Sequence, residues 1–306
     1  MNKLIKQAFT LIELLVVIAI VGILSGLIVI SMGGITEKAN IAKSQIFSNS
    51  LRNSLLLNLI SEWKFDSVTD YNETTGFINS TDNNIPNSWG PAHGKAYGGP
   101  ILKNSTDCVS GKCVSFDGIN DSIGITSITD FNISKTNQLT VELWFKTNII
   151  NSTATAIILK SGEWMFYPIS SRNLRFLVYD NVSASWRHGT AITDLEANRW
   201  YHIVGITNFT TTNLNMKFYM DGVKRGDNNF SSASINTGTG NLTIGSLWGE
   251  RYNGLIDDVR IYNAIMPSSK IKERYYLGIN NLLVNKQLSK EEYNNRISEL
   301  AINSLD

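Results

Sequence analysis

A mainly β chain with helices at both ends is the fold class that three features of the sequence predict. From Ser61 onward, short alternating segments follow one another between turn residues. Ahead of them, an apolar run from Phe9 to Ile30 is broken by a single charge, Glu13. Behind them, the stretch NNLLVNKQLSKEEYNNRISELAINSLD has helical spacing, and Ser289 followed by Glu292 is a capping-box signature. The expected order is a long N-terminal α-helix, a β-sandwich and a short C-terminal helical hairpin.

The alternation is clearest in LTVELWFK at 139–146. Leu139, Val141, Leu143 and Phe145 face one way, and Thr140, Glu142, Trp144 and Lys146 the other. NLRFLVY, WYHIVGI, LNMKFYMDG, NLTIGSL and GLIDDVRIY continue the pattern with Asp-Gly and Asn-Gly turns among them. No long amphipathic helix interrupts them, as expected of a sandwich. The 306 residues carry 27 basic and 26 acidic side chains, a net charge of +1. Such balance leaves no electrostatic footprint for nucleic acid, and none is expected as a partner. Three scattered histidines have no zinc-site spacing. Abundant Ser, Thr and Asn suit an extracellular β-protein.

At the N-terminus, Lys3 and Lys6 precede the apolar run. As a helix that run is about 33 Å long, enough to cross a bilayer core. The positive flank keeps the leader cytoplasmic and predicts export of the rest. A secretory signal would have a shorter core. A plain anchor would not explain Glu13, whose insertion costs on the order of 3 kcal/mol. The string AFTLIELLVVIAIVGIL resembles the prepilin motif of type IV pilins and type II secretion pseudopilins. The resemblance implies that a prepilin peptidase cuts between Ala8 and Phe9 and methylates the new amine. Ala8 stands where glycine is more usual, and the mid-helix proline of many pilins is absent. Glu13 falls on the family's acidic position, where it would pair with the Phe9 amine of a neighbouring subunit and set axial register.

The implied organisation is a leader at 1–8 and a transmembrane and assembly helix with its amphipathic continuation at 9–60. The partners are the peptidase, other pilin or pseudopilin subunits and the cytoplasmic membrane. The globular part lies outside the cytoplasm, held by a single pass or assembled into a filament.

WKFD at 63–66, VSFDGINDSI at 114–123, LTVELWFK, RWYHIVGI at 199–206, KFYMDG at 217–222, LTIGS at 242–246 and NGLIDDVRIYNAIM at 253–266 resemble the laminin G-like, concanavalin A-like jelly rolls in their order. The resemblance spans 61–276 and leaves 277–306 as the helical tail, similar to short hairpins of the LL-x₅-S/T-x-EEY type. Residues 68–105 fit least and read as a long loop. Such folds serve lectins and glycoside hydrolases, and the hydrolases need paired carboxylates. No E-x-D-x-x-E triplet occurs, and two positions after Glu142 stands Trp144, not an acid. The expectation is therefore a non-enzymatic domain that recognises a glycan or surface. A structural pseudopilin without ligand and a membrane-tethered lectin are the alternatives. Laminin G-like relatives often hold calcium with aspartates that map onto Asp66 and Asp257. Asp257 as a purely hydrogen-bonded residue is the competing reading. Trp144, Tyr179 and Tyr219 alternate away from the expected core and are the candidate ligand-stacking residues. Cys108 and Cys113, the only cysteines, flank a Ser110-Gly111 turn and are expected to form a disulfide after export. Asp117 and Asp121 read as turn formers.

Overall fold

The structure is a computed structural model. It describes residues 58–82, 84–126, 131–149, 156–168, 173–189, 195–231, 233–235, 240–247 and 249–302, together with Leu15 and Ile18, which are helical. The chain divides into two units, 1–50 and 51–306. Ala8, Phe9, Glu13 and nearly all of the expected helix lie outside the described residues. Among those described, no helix is long and apolar enough to cross a membrane.

The strands run in chain order as β1 Leu59–Trp63, β2 Gly94–Tyr97, β3 Ile101–Lys103, β4 Cys113–Asp117, β5 Ser122–Ile125, β6 Gln138–Thr147, β7 Ile158–Lys160, β8 Trp164–Pro168 and β9 Leu174–Asp180. They continue as β10 Ser185–His188, β11 Trp200–Thr210, β12 Asn213–Met220, β13 Val223–Phe230, β14 Leu242–Ile244, β15 Ser246–Leu247, β16 Glu250–Arg251 and β17 Asn253–Tyr262. One sheet has the order β13-β12-β11-β6-β17-β4-β3, with β1 also on β17; the other is β10-β9-β8-β7-β14-β5-β2. Every pairing is antiparallel, and β15 and β16 form a separate ribbon.

The core lies between the two sheets. Leu139, Val141, Leu143 and Phe145 of β6 enter it with Trp63, Phe116, Trp164, Phe166 and Phe176. Each such buried apolar side chain stabilises by roughly 1.5–3 kcal/mol. The indoles keep their N–H groups satisfied: Trp63 Nε1 donates to the Ala92 carbonyl at 3.1 Å and Trp164 Nε1 to that of Phe131 at 3.3 Å.

Two parts differ from the sequence reading. The segment 68–105 is not one long loop: it holds β2 and β3 and places Ile78, Ile85, Ala92 and Ala96 in the core. These strands of four and three residues are too short for a period of two to register. The C-terminal helices span Ser268–Val284 and Lys290–Ile302. The first of them therefore straddles the expected 276/277 boundary. The second is capped as the sequence predicts, its Glu292 amide donating to Ser289 Oγ at 3.1 Å.

Candidate functional site

Asp66 and Asp257 meet the same short loop. Cys108 and Cys113 are joined by a disulfide that closes it. Asp257 Oδ2 accepts the amides of Val109 and Ser110, each at 3.0 Å, and Asp66 Oδ1 accepts that of Lys112 at 2.8 Å. Gly111 has φ +56°, and a Cβ there would fall 1.9 Å from Asp66 Oδ1, so this turn needs glycine. Asp257 is fully buried, and among the described residues its Oδ1 has no hydrogen-bond partner. Burial first, and then the charge of Asp258, push its carboxyl well above the usual range against the pull of the loop amides.

The strand around Asp257 is not regular. Asp258 has φ +50°, and the register to β6 slips between Asp257 and Arg260. Leu255 and Asp257 thus point away from the core, while Val259 and Ile261 point into it. Strict alternation would put all four on one side, and the bulge breaks it. Among the described residues, no group of three or more His, Cys, Asp or Glu side chains is placed to hold a metal. The orphaned Asp257 Oδ1 is the one feature here that suits a cation.

The outer face of the first sheet is covered by the C-terminal hairpin. Trp144 is 3% exposed and stacks on Tyr275 with centroids 5.8 Å apart. A Cβ on Gly278 would sit 2.0 Å from the Trp144 ring, so glycine lets the helix reach the indole. Tyr219 is buried with Val204, Ile206, Tyr262, Met266 and Ile271. Neither Trp144 nor Tyr219 can stack a ligand in this arrangement, a correction to the candidate set. Both alternate outward as the sequence predicts; what covers them comes from a helix far along the chain.

Charges are buried under the same hairpin. Glu142 accepts from Tyr262 Oη at 3.0 Å and Arg260 Nη1 at 3.4 Å, with Arg274 Nε at 3.5 Å and His202 Nε2 at 3.6 Å. Burial pushes the Glu142 carboxyl up, but Arg274, His202 and Arg260 together hold it well below the usual carboxylate range. Arg260 Nε also donates to Glu62 at 2.7 Å, which ties β1 to β17. Further anchors are Arg296 Nη1 on the Trp200 carbonyl at 2.9 Å and Asn285 Nδ2 on the Cys108 carbonyl at 3.1 Å.

The outer face of the second sheet carries no helix among the described residues. On β9, Arg175, Leu177 and Tyr179 alternate outward. Tyr179 is half-buried and meets Trp186 of β10 edge-on, with centroids 5.3 Å apart. Tyr167 of β8 lies opposite Arg175. Leu159, Met165 and Leu177 form an apolar cluster with Leu247 of the β15–β16 ribbon, and Tyr167 and Trp186 pack at its margin. At the far edge Tyr97 lies over Gly124 and is 47% exposed. Of the three stacking candidates, Tyr179 alone lies on this face, where Tyr167, Trp186, Tyr97 and Arg175 also lie. The signal for Arg175 was present in RFLVY, where it shares the outward parity of Tyr179.

Two antiparallel sheets face to face, with one outer side closed by a helical hairpin, define a lectin-type β-sandwich. The chain belongs to the concanavalin A-like lectin/glucanases superfamily, through the family Laminin_G_3, which matches residues 117–272. The prokaryotic N-terminal methylation motif matches residues 5–29. The chain is thus a type IV pilin-type N-terminus fused to a concanavalin A-like domain. No curated protein matches the sequence.

Among solved structures, domain 4 of AbnA, an extracellular GH43 arabinanase of Geobacillus stearothermophilus solved with arabinotriose, aligns with TM-score 0.50 and 17% identity. The match covers 71% of this chain and 97% of that one. The binding domain of Paraclostridial Mosquitocidal Protein 1 aligns with TM-score 0.52 and 15% identity over 72% of this chain and 52% of that one. The binding domain of botulinum neurotoxin DC, solved with rat synaptotagmin II, gives TM-score 0.52 and 14% identity over 72% and 52%. The chain thus spans about half the length of these toxin domains, and at such identity the likeness concerns the fold alone.

Proposed function

We propose that this chain is a pilin-like subunit that displays a glycan- or surface-recognising sandwich outside the cell for adhesion. The observation that carries the reading is a division of labour in one chain. A methylation motif at 5–29 implies peptidase processing and assembly with other pilin-type subunits, and the sandwich keeps one aromatic outer face clear of the hairpin. Recognition then falls to the second sheet, with Tyr179, Trp186 and Tyr167 as stacking rings. No catalytic step belongs to this reading. Probing a glycan array with the full chain in detergent micelles tests it. Binding that is lost in Trp186→Ala supports recognition by this face. No binding to any glycan, with the protein present in sheared filaments, would favour a structural pseudopilin instead.

Calcium belongs to the proposal as a clamp. Asp257 Oδ1, which has no partner among the described residues, and the Asp66 carboxylate would face the ion; calcium takes such oxygen ligands. It would fasten the loop after β1 to β17. A ligand at a hundred times its dissociation constant adds about 2.7 kcal/mol. Chelation should therefore lower the melting temperature of the full chain, and Asp257→Asn should remove the response. An unchanged melting curve would leave Asp257 as a loop-capping acid.

A further inference from the structure

The two arginines on the strands of the open face are held differently. Arg187 spends its charge on Asp180, with Nε at 3.0 Å and Nη2 at 2.9 Å from Oδ2. Asp180 is well satisfied, since it also accepts the amides of Ser234 and Val182 and the Ser183 hydroxyl. Arg175 is not neutralised. Among the described residues its one hydrogen bond runs from Nη1 to His188 Nε2 at 3.1 Å, and its Nε is shielded with no partner. Among the described residues no carboxylate pairs with it. His188 Nδ1 lies 3.1 Å from the Gly189 carbonyl, which can only accept. The imidazole therefore carries its proton on Nδ1, and Nε2 accepts from the guanidinium. A neutral acceptor of this kind fixes the orientation of Arg175 without cancelling its charge.

The surroundings match a sugar. Tyr167 sits directly across from Arg175 on β8, and Tyr179, with Trp186 opposite it on β10, lies about 13 Å further along β9. A half-buried guanidinium beside an aromatic ring offers a planar fork for a carboxylate and a π-face for a sugar ring. We propose that Arg175 is the anion subsite of the open face, and that the ligand is an acidic sugar, a uronate or sialate, whose carboxylate binds Arg175 while its ring packs against Tyr167. A neutral glycan would leave this oriented cation unmatched. The inference rests on the recognition reading above and adds the charge class of the ligand.

The test measures binding of the full chain, in detergent, to glucuronate- and sialate-terminated oligosaccharides and to their methyl esters, which keep the shape and remove the charge. The acids should bind at least about tenfold more tightly than the esters, as charge-assisted hydrogen bonds predict, and the difference should shrink as salt is raised. Arg175→Gln should bring the acids down to the level of the esters. Arg175→Lys, a point charge without the fork, should recover only part of the gap. Equal binding of acid and ester by the unmodified chain overturns the acidic-sugar assignment while leaving recognition by this face intact. Discrimination that persists in Arg175→Gln overturns the placement of the subsite. Failure of every sugar, acidic and neutral, overturns the recognition reading along with it.

Discussion

On the first sheet, Thr140, Glu142 and Trp144 point away from the core yet are as buried as Leu139, Val141 and Leu143 between them. On the second, the outward residues Arg175 and Tyr179 of β9 stay half-buried, while Leu177 between them is buried in the cluster with Leu247. Both sheets follow the same period of two. What separates them is the hairpin, which lays Tyr275, Ile279 and Leu282 onto Trp144, Trp200 and Leu255. Alternation along a strand reports which way a side chain points; it does not report what arrives later to cover it. An aromatic residue outward of a sandwich therefore has two different uses. Under the hairpin it is the floor of a second core, and on the open sheet it remains available to a partner.

The largest effect is expected where the covered face buries charge. Glu142→Gln keeps the shape but leaves Arg260 and Arg274 short of a counter-charge, and loss of one partner of a buried pair costs about 3–5 kcal/mol. Denaturant unfolding should show that loss. The acid dependence has a definite sign. The folded protein holds Glu142 below its usual value of 4.5, so its contribution is present above that pH and is lost as pH falls. The variant should have a shallower acid limb. Next in size is Gly278→Ala, whose methyl would collide with Trp144. About 1–3 kcal/mol of destabilisation is expected, with faster hydrogen exchange at 268–302. By contrast, Tyr179→Ala on the open face should cost less than about 1 kcal/mol. Equal losses for the two would mean that the faces do not differ in kind.

How much of this was legible follows the same division. The inward set of β6 was readable because ten residues keep strict parity. The disulfide was readable from two cysteines around a turn. The parity break at Asp258 was not, because a bulge in a run of apolar and acidic residues leaves no residue-type signature, and Asp258 takes a positive φ without being glycine. The burial of Trp144 and Tyr219 was not legible either. For Trp144 it depends on Gly278, a small residue whose meaning appears only when the partner ring is known, and for Tyr219 on Met266 and Ile271, which lie far along the chain. Tyr179 is readable from its ring and its parity, but the role of Arg175 is not, because an uncompensated charge is defined by its neighbours and not by its own identity.

A smaller effect is expected from the disulfide. Replacing Cys108 and Cys113 together by serine should cost at most about 2 kcal/mol, because the bond closes only a short loop. The loss should concentrate on the covered side, since Asn285 of the hairpin holds the Cys108 carbonyl and Asp257 holds the neighbouring amides. Exchange rates at 268–302 that are unaltered in the double variant would show that the loop and the hairpin are independent.

The smallest effect concerns the turn from β4 to β5, where the chain passes from the covered sheet to the open one. Asp117 Oδ1 accepts the Ile119 amide at 2.7 Å, and Asp121 Oδ2 accepts the Asp117 amide at 2.9 Å. Both aspartates are turn formers, as the sequence predicts. Burial, and then the adjacent Asp117 charge, push the Asp121 carboxyl up to about 6, more than the Asp117 amide and Arg251 pull it down. A raised folded value means that the folded chain holds this proton more firmly than the unfolded one does. The stabilisation is complete below the usual 3.8 and is lost as pH rises through about 6. Its sign is opposite to that of Glu142, so the two can be separated in one pH series. Asp121→Asn should flatten stability between about pH 4 and 7 and leave the acid limb of Glu142 in place. A variant whose stability falls with rising pH as steeply as that of the unmodified chain would show that Asp121 is ionised throughout. The turn would then hold its carboxylate as an ordinary amide acceptor, with no difference in pH response between the strand entering from the covered sheet and the one leaving for the open sheet.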